Sequence, residues 1–508
     1  MKHTINLFLF ILLLYLNLYS QTPIYYVDPI SGNDNNSGTL DKPFLTLTKA
    51  VAVLTSNASG TLYLRTGTYN LSANLRPNKN GSVAGYFNLW AYPGEKPVLD
   101  FSTEPFGARG LYLSVNYWHV KGLEIKNSGD NGVYISGSYN IIENCTIHDN
   151  QDTGLQIDGG GHDNKIINCD SYYNADPGQG NADGFSPKLG VGTGNYFFGC
   201  RAWQNSDDGW DGYLRTTNDV TTTLEYCWSF KNGYLKDGSA SQGNGNGFKM
   251  GGSDNKDLMH NVILKNCLSF DNRVKGFDQN NNRGSMTLYN CTAFRDGTYN
   301  FSIPSNLNAG KIASIKNSVS FMQTINILFS ADQQNNTWLP QFTVASSDFI
   351  SIDPSAAYGP RKADGSLPEI PFMHLVSGSK LIDAGVYVGI PFTGNAPDLG
   401  AFEYNTQIPT DVRNNNEIPI SFVLFQNYPN PFNPETIISW QLEESSHVTL
   451  RIFDMLGRII VTLVDEYQLQ GIHSSTLSSQ HFFMPSGVYF YKLTAGNYSA
   501  TKKMVLIR

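Results

Sequence analysis

Four aspartates and one lysine in the middle of the chain have the types and the spacing to form one chemical site. They fall in copies of one pattern, in which an asparagine and a variable turn precede a polar residue, a glycine and an apolar residue. When the copies are aligned on the glycine, Asp183 and Asp208 share one column, and Asp211 and Lys249 share another; Asp207 precedes Asp208. If each copy is one coil of a parallel β solenoid, like positions lie about 4.8 Å apart and these five side chains converge.

The convergence of four carboxylates indicates a site for a hard cation. Like charges in one site raise each other's pKa and oppose folding unless a cation compensates them. Calcium takes about six to eight oxygen ligands, so four aspartates leave room for oxygens of a bound ligand. On these residues alone, an alternative stays open, in which the aspartates are ordinary turn residues and Lys249 is a salt-bridge partner of Asp211.

Three segments around these residues resemble the signature of polysaccharide lyase family 9. They read NADGF at 181–185, SDDGWDG at 206–212 and GNGFKMGG at 245–252. That family contains pectate lyases and some rhamnogalacturonan lyases, and it has a right-handed parallel β-helix, a calcium ion held by four aspartates and a lysine base. The resemblance implies that Ca²⁺ is the cofactor and that Lys249 is the catalytic base. The implied metal ligands are Asp183, Asp207, Asp208 and Asp211.

An internal repeat predicts an all-β parallel solenoid over residues 111–325, and the resemblance implies that this region is a right-handed parallel β-helix and the catalytic core. Six cysteines occupy one frame of the repeat, with successive spacings of 24, 31, 27, 40 and 24 residues. A period near 24 residues indicates a solenoid, and its insertions before Asp183 and Lys249 place long loops beside the predicted site. Shortly after that frame each coil has a residue expected to form a stacked ladder: Asn127, Asn150, Asn174, Asn205, Asn232, Asn272 and Asp296.

We expect the cysteines to be reduced, because a small apolar thiol suits an inward position of every coil. The alternative is one or more disulfides between neighbouring coils, since six cysteines in a secreted chain normally indicate bridges. The six are Cys145, Cys169, Cys200, Cys227, Cys267 and Cys291.

The segments before the repeat suggest export and a cap. Residues 1–20 contain a short apolar run that is typical of a secretory signal peptide and is too short for a confident membrane span. Residues 21–110 are expected to form an N-terminal cap and the first coils, with a short helix from Leu47 to Leu54. Such a cap protects the open end of a solenoid from edge pairing.

Three segments follow the repeat. Residues 326–404 are expected to close the β-helix, and residues 405–418 form a polar linker. Residues 419–508 alternate as in the strands of a small β-sandwich and resemble the type A sorting domain of the type IX secretion system. That resemblance implies contact with the secretion machinery and a secreted or cell-surface location. A carbohydrate-binding or immunoglobulin-like module is the alternative.

These features predict a secreted calcium-dependent pectate lyase that cleaves polygalacturonate by β-elimination. Lys249 would take the C5 proton, and its pKa would have to fall from about 10.4. Burial and a nearby dication lower that pKa, whereas Asp211 raises it. The alternatives are a rhamnogalacturonan I lyase of the same family, a β-helix glycoside hydrolase that uses Asp207 and Asp208, and an adhesin stiffened by calcium.

Net charge limits how an acidic plant polysaccharide could be held. The net charge of −8 argues against a general polyanion-binding surface, so local cations and calcium would have to bind the uronates. We expect Lys275 and Arg273, in a following coil, to bind substrate; Lys188, Arg215 and Arg283 are further cations near the groove. The chain has no phosphate loop, and we expect a monomer without a nucleic-acid partner or a membrane span after maturation.

Overall fold

The computed structural model describes residues 22–328, 330–404, 422–427, 429–442, 446–468, 471–479, 482, 484–496 and 498–507. The predicted signal peptide and the predicted linker lie outside these residues. The chain divides into two compact units, within residues 1–410 and 411–508. Among the described residues, no helix is both long and apolar enough to cross a membrane.

The first unit is a right-handed parallel β-helix, as predicted, with three sheets that run along its axis. The first sheet has 12 strands: Ile24–Val27, Gly60–Leu64, Phe87–Ala91, Trp118–Lys121, Ile141–Glu143, Lys165–Ile167, Asn195–Phe198, Val220–Glu225, His260–Lys265, Met286–Tyr289, Ala313–Lys316 and Asp332–Gln334. The second sheet has 10: Gly67–Asn70, Pro97–Asp100, Glu124–Lys126, Thr146–His148, Asp170–Tyr172, Arg201–Trp203, Trp228–Phe230, Leu268–Phe270, Thr292–Phe294 and Val319–Phe321. The third sheet has 9: Leu111–Leu113, Val133–Ile135, Leu155–Ile157, Phe185–Pro187, Trp210–Asp211, Phe248–Lys249, Lys275–Asp278, Tyr299–Ile303 and Ile325–Ile327.

An aromatic stack inside the third sheet sets the direction of the neighbouring side chains. The rings of Phe185, Trp210, Phe248, Phe277 and Phe301 lie on successive coils, with neighbouring centroids 4.8–5.0 Å apart. Because side chains alternate along a strand, the residue that follows each inward ring points away from the core. The inward stack therefore places a column of polar side chains on the outer face of this sheet.

The cysteines and the asparagine ladder stabilise the interior of the turns. All six cysteines are free and buried, so the expectation of reduced thiols is confirmed and the disulfide alternative is wrong. Five successive side-chain bonds of 2.8–3.0 Å connect the ladder from Asn150 to Asp296. Asn127 does not extend it, because its amide donates to Asp100 Oδ1 at 3.0 Å and Asn150 instead accepts from the backbone of Ser128.

One helix, α1 (Leu47–Leu54), packs against the first coils. Its N-cap Thr46 accepts from the backbone N–H of Lys49 at 3.3 Å. Its apolar face, Leu47, Ala50, Val51 and Leu54, is buried in the same core as the coils. The helix thus covers apolar surface at the N-terminal end of the solenoid.

The segment after the last coil packs on the outer face of the second sheet. Its short 3₁₀ helices are Ser346–Asp348 and Ser355–Tyr358, and its apolar residues share a core with an aromatic row of that sheet. Arg361 of this segment and Arg201 of the sheet each lie 2.7 Å from a carboxylate oxygen of Asp170. Burial would raise the pKa of Asp170, but the two guanidinium groups outweigh it and lower the pKa to about 2.

The second unit is a small antiparallel β-sandwich. One sheet contains Val423–Leu424, Glu435–Leu442 and Gly471–Ser478; the other contains Ser446–Phe453, Ile459–Gln468, Gly487–Ala495 and Tyr498–Leu506. Side chains from both sheets, among them Trp440, Leu450 and Tyr491, form one buried core.

Candidate active site

Three neighbouring strands of the third sheet position the predicted site residues. Asp211 lies directly opposite Lys249 in the strand register. The backbone N–H of Asp208 donates to Asp183 Oδ1 at 3.1 Å, which places these two carboxylates on successive coils of one column. The two columns expected from the glycine frame are therefore observed.

Three of the four aspartates converge on one point. Oxygens of Asp183, Asp207 and Asp208 all lie within 4.8 Å of one another, and all three residues are buried. Asp183 accepts from Ser186 Oγ at 2.6 Å, and Asp208 Oδ1 accepts from the backbone N–H of Asn246 at 2.7 Å. These bonds fix the carboxylates before any ligand arrives.

The donor set fits a hard cation. Asp208 Oδ2 is buried and has no hydrogen-bond partner among the described residues, although Lys249 Nζ lies 3.1 Å away. A buried carboxylate oxygen without a hydrogen bond is costly unless a cation binds it. The convergent oxygens of Asp183, Asp207 and Asp208 are the ligands that calcium prefers.

The fourth aspartate lies between two ammonium groups. Asp211 Oδ2 is 3.4 Å from Lys249 Nζ and 3.7 Å from Lys188 Nζ. Lys188 Nζ also lies 2.7 Å from Asp183 Oδ2, and Lys188 is only 5% exposed. The sequence placed Lys188 near the groove as one of several cations, but the structure brings it inside the cluster. Lys188 lies two residues after Ser186, so both side chains point to the outer face of the sheet. This spacing could have predicted the position of Lys188 from the sequence.

Crowding of like charges perturbs these groups. Burial, with the carboxylates of Asp208 and Asp183, raises the pKa of Asp207 to about 9, and burial raises that of Asp208 to about 7. Burial would also raise the pKa of Asp211, but the ammonium groups of Lys249 and Lys188 hold it below its usual value. Four carboxylates thus face two ammonium groups, and the site carries more negative charge than it can ionise without a further cation.

The pKa of Lys249 is also raised, which keeps this side chain in its charged form. Burial would lower its pKa, but Asp211 and Asp208 raise that pKa well above its ordinary value. The sequence alone did not determine whether the pKa of Lys249 is raised or lowered. Without a bound metal, the carboxylates determine the direction of the shift. Lys249 can therefore act as a base only if a change in the surrounding charge lowers its pKa.

We expect Lys188→Met to destabilise the calcium-free protein by about 2 kcal/mol. Removing one partner of a buried ion pair leaves an uncompensated charge, which costs about 3–5 kcal/mol, and the Ser186 hydroxyl at Asp183 reduces that cost. Chemical denaturation in a chelator measures the effect. Lys236→Met is the control, since its ion pair with Asp149 is largely exposed and such pairs contribute little. Equal stability of both variants would contradict a charge-compensating role for Lys188.

Part of the cluster lines a cleft of about 430 Å³, with Asp183 and Asp208 behind its wall. Its lining residues are Arg109, Asp130, Asn131, Asp152, Gln156, Asp158, Gly180, Asn181, Lys188, Leu189, Asp207, Asp211, Tyr213, Arg215, Asn244 and Lys249. Lys249 is close to the cleft surface, because 9% of its side chain is exposed. Its Nζ lies 5.7 Å from the centre of the Tyr213 ring. A ligand in this cleft would therefore meet Asp207, Asp211 and Lys249.

The two predicted substrate-binding cations have structural partners and are not among the residues that line this cleft. Lys275 Nζ lies 2.9 Å from Asp278 Oδ1. Arg273 donates to the carbonyl of Gly243, in the loop whose Asn244 donates to Asp207. Arg273 thus supports the loop behind the carboxylates. The other predicted cation, Arg283, also bonds backbone carbonyls, whereas Arg215 does line the cleft.

Comparisons with known proteins agree with this architecture. A family model described as "Pel9A-like, right handed beta helix region" matches residues 25–318, and one described as "Secretion system C-terminal sorting domain" matches residues 426–507. Pectate lyase L of Dickeya dadantii (strain 3937) is 38% identical over 397 residues, which is 75% of this chain and 91% of that protein. Pectate lyase L of Paenibacillus polymyxa (strain SC2) is 40% identical over 365 residues, 66% of this chain and 79% of that protein.

Two solved structures are similar along most of their length. The crystal structure of pectate lyase Pel9A has 38% sequence identity and a TM-score of 0.71, and the match covers 76% of this chain and 97% of that one. A rhamnogalacturonan lyase has 28% identity and a TM-score of 0.62, over 71% of this chain and 98% of that one. Both resemblances expected from the sequence are confirmed. The chain belongs to the Pel9A-like right-handed β-helix family of polysaccharide lyases and carries a secretion-system C-terminal sorting domain.

Proposed function

We propose that this protein is a secreted, calcium-dependent pectate lyase that cleaves polygalacturonate by β-elimination, with Lys249 as the base. The observation that supports this most strongly is the contact of Lys249 with a cluster of buried carboxylates, of which Asp207 and Asp211 line the same cleft as Lys249. Pectate lyases of similar sequence and fold support the substrate class.

Calcium would be held by Asp183, Asp207, Asp208 and Asp211. All four offer only oxygen, and Oδ2 of Asp208 accepts no hydrogen bond, with Lys249 Nζ 3.1 Å away, so it remains able to bind a cation. When bound, calcium supplies the positive charge that offsets these carboxylates and pairs with a uronate carboxylate of the substrate.

The chain's own residues move the proton. Neutral Lys249 accepts the proton from C5 of the uronate, which is acidified by the adjacent carboxylate. The electron pair of the broken C5–H bond forms the C4–C5 double bond, and the C4–O bond breaks. The products are a 4,5-unsaturated sugar and a new chain end whose oxygen takes up a proton. The pairing of Asp211 with Lys188 as well as Lys249 shares its charge between two ammonium groups.

Near-ultraviolet absorbance during incubation with polygalacturonate tests the proposal, with calcium or with a chelator. We expect a calcium-dependent rise, because elimination creates a conjugated double bond. New reducing ends without absorbance would indicate hydrolysis and would contradict the role of Lys249. If no uronate polymer gives an absorbance rise or new reducing ends while calcium still binds, the result would favour an adhesin.

A rhamnogalacturonan I lyase is the second candidate. The similar fold of a rhamnogalacturonan lyase, at 28% identity, supports it. The same assay with rhamnogalacturonan I decides between the two, because the polymer that gives the larger absorbance rise is the preferred substrate.

The sorting domain supports export by the type IX secretion machinery. In our proposal, residues 1–20 direct the chain out of the cytoplasm, residues 419–508 engage that machinery, and the mature protein acts as a monomer at the cell surface or beyond it. Deleting residues 419–508 in the producing bacterium should abolish extracellular activity while leaving activity in cell extracts.

A further inference from the structure

The outer column of the third sheet continues from the catalytic site toward the N-terminal coils. Tyr112, Tyr134 and Gln156 lie opposite one another in successive strands of this sheet. Tyr134 is three coils from Asp211, which corresponds to about 14 Å at the usual strand spacing. Gln156 of this column lines the same cleft as Lys249, and so does Arg109, which lies two residues before the strand of Tyr112. The cleft therefore extends several sugar units beyond the metal site.

Arg109 is fixed on an aromatic platform at this end of the cleft. Its guanidinium carbon lies 3.5 Å from the centre of the Tyr134 ring and 5.5 Å from that of Tyr112. The two tyrosine rings meet edge to face at 5.1 Å, and the Tyr134 hydroxyl donates to Asp158 Oδ2 at 3.1 Å. Stacking of this kind orients a guanidinium and leaves its N–H edge free to bind a planar anion.

The nearest carboxylate, that of Asp130, does not occupy the N–H edge of Arg109. Asp130 Oδ2 is 3.6 Å from Arg109 Nε, which is beyond hydrogen-bond distance, and one third of the Arg109 side chain is exposed. By contrast, Arg295, which follows a strand of the second sheet, also packs over a ring but binds Asp271 through two hydrogen bonds of 2.7 and 3.0 Å. The guanidinium of Arg109 is oriented without being neutralised in this way.

The cleft wall between the metal site and Arg109 is acidic. Asp130, Asp152 and Asp158 line the cleft there. Carboxylates favour sugar hydroxyls, which can donate to them, and repel a second carboxylate. A uronate that passes this stretch therefore finds its next favourable partner at Arg109.

We propose that Arg109, supported by Tyr134, forms a distal subsite that binds a uronate carboxylate of the polysaccharide several sugar units from the cleaved bond. This inference rests on the proposed function, since it requires a polyuronate in the cleft. Arg109 is a specificity-determining residue that contacts substrate far from the reacting atoms. It strengthens the binding of long substrates only, because a short oligomer at the metal site does not reach it.

The test compares wild type, Arg109→Gln and Arg109→Lys on long and short oligogalacturonates in the absorbance assay. For long oligomers and the polymer we expect Arg109→Gln to raise KM about tenfold with kcat nearly unchanged, as for loss of one charge-assisted hydrogen bond. Arg109→Lys should restore part of the affinity, because it keeps the charge and loses the planar fork. For oligomers too short to span the cleft, all three proteins should be equal.

Arg295→Gln is the matched control, because it removes an arginine that stacks on a ring outside the cleft. It should change KM for no substrate. An equal KM of wild type and Arg109→Gln on every length would overturn the subsite. A uniform loss of kcat on short and long oligomers, with a lower melting temperature, would also overturn it by showing a structural role.

A binding measurement separates failure of the subsite from failure of the proposed function. Calorimetry with a long saturated oligogalacturonate, in a Lys249→Ala background and with calcium, needs no turnover. If the wild type eliminates no polymer, the proposed function fails, and weaker binding by Arg109→Gln still supports a uronate site. If the wild type is active and Arg109→Gln binds as tightly as its parent, the subsite alone is wrong.

Discussion

Replacing Lys249 by alanine is expected to lower kcat on polygalacturonate by about 10³-fold or more, since loss of a general base costs about 10²–10⁴ and no described residue replaces it at this position. The reason is geometric as well as chemical. Lys249 is the residue that combines a basic side chain, contact with the carboxylates of Asp208 and Asp211, and access to the cleft. Lys249→Arg should be equally inactive, because arginine keeps the positive charge and stays protonated.

The measurement is the rate of absorbance increase at saturating substrate, together with calcium affinity by calorimetry. Calcium binding should persist in Lys249→Arg, which separates loss of the base from loss of the metal. Lys265→Ala is the control, since Lys265 forms a similar 2.9 Å ion pair with Glu225 on the first sheet. Substantial activity in Lys249→Arg would show that the lysine serves as a charge and that another group takes the proton.

Asp208→Asn is expected to weaken calcium binding by at least about 10²-fold, since even residues that only support a metal ligand contribute about 10–100-fold. Asp208 is fully buried, and its Oδ2 has no hydrogen-bond partner in the described part of the chain. Asparagine keeps the shape of the side chain but removes the charge that a dication requires. Elimination should be lost at ordinary calcium concentrations and should return in part when calcium is raised.

Asp278→Asn is the matched control for that variant. Asp278 lies in the strand next to Lys249, in register with it, and pairs with Lys275 rather than with the convergent aspartates. Its replacement should leave calcium affinity unchanged. Equal affinity in the two variants would remove Asp208 from the ligand set. Loss of affinity in both would point to general damage to the coil.

Much of the site could be predicted because the β-helix repeats. A parallel strand pairs with its neighbours in register, so residues at the same position in the repeat are stacked at a constant spacing. Aligning the glycines therefore predicted that Asp183 and Asp208 share one column and that Asp211 faces Lys249. The alternation of inward and outward residues also predicted the buried cysteine column.

The sequence did not predict the partners of the long side chains. Lys188 reaches across to Asp183 and Asp211, Arg109 folds over Tyr134, and Arg273 turns to the Gly243 carbonyl. These side chains have several rotatable bonds, and their partners lie on other coils or in insertions outside the repeat. Position in a repeat fixes where a Cβ lies, but packing and charge around a flexible chain decide where its end binds.

The sequence by itself thus determined the solenoid, the columns and the group of carboxylates with a lysine beside it. The tertiary structure decided which cations neutralise that group, and it placed Lys275 with Asp278 rather than in the cleft. It also decided the pKa of Lys249, because burial and the neighbouring carboxylates act on it in opposite directions. Their balance depends on distances across coils, and the repeat alone does not specify those distances.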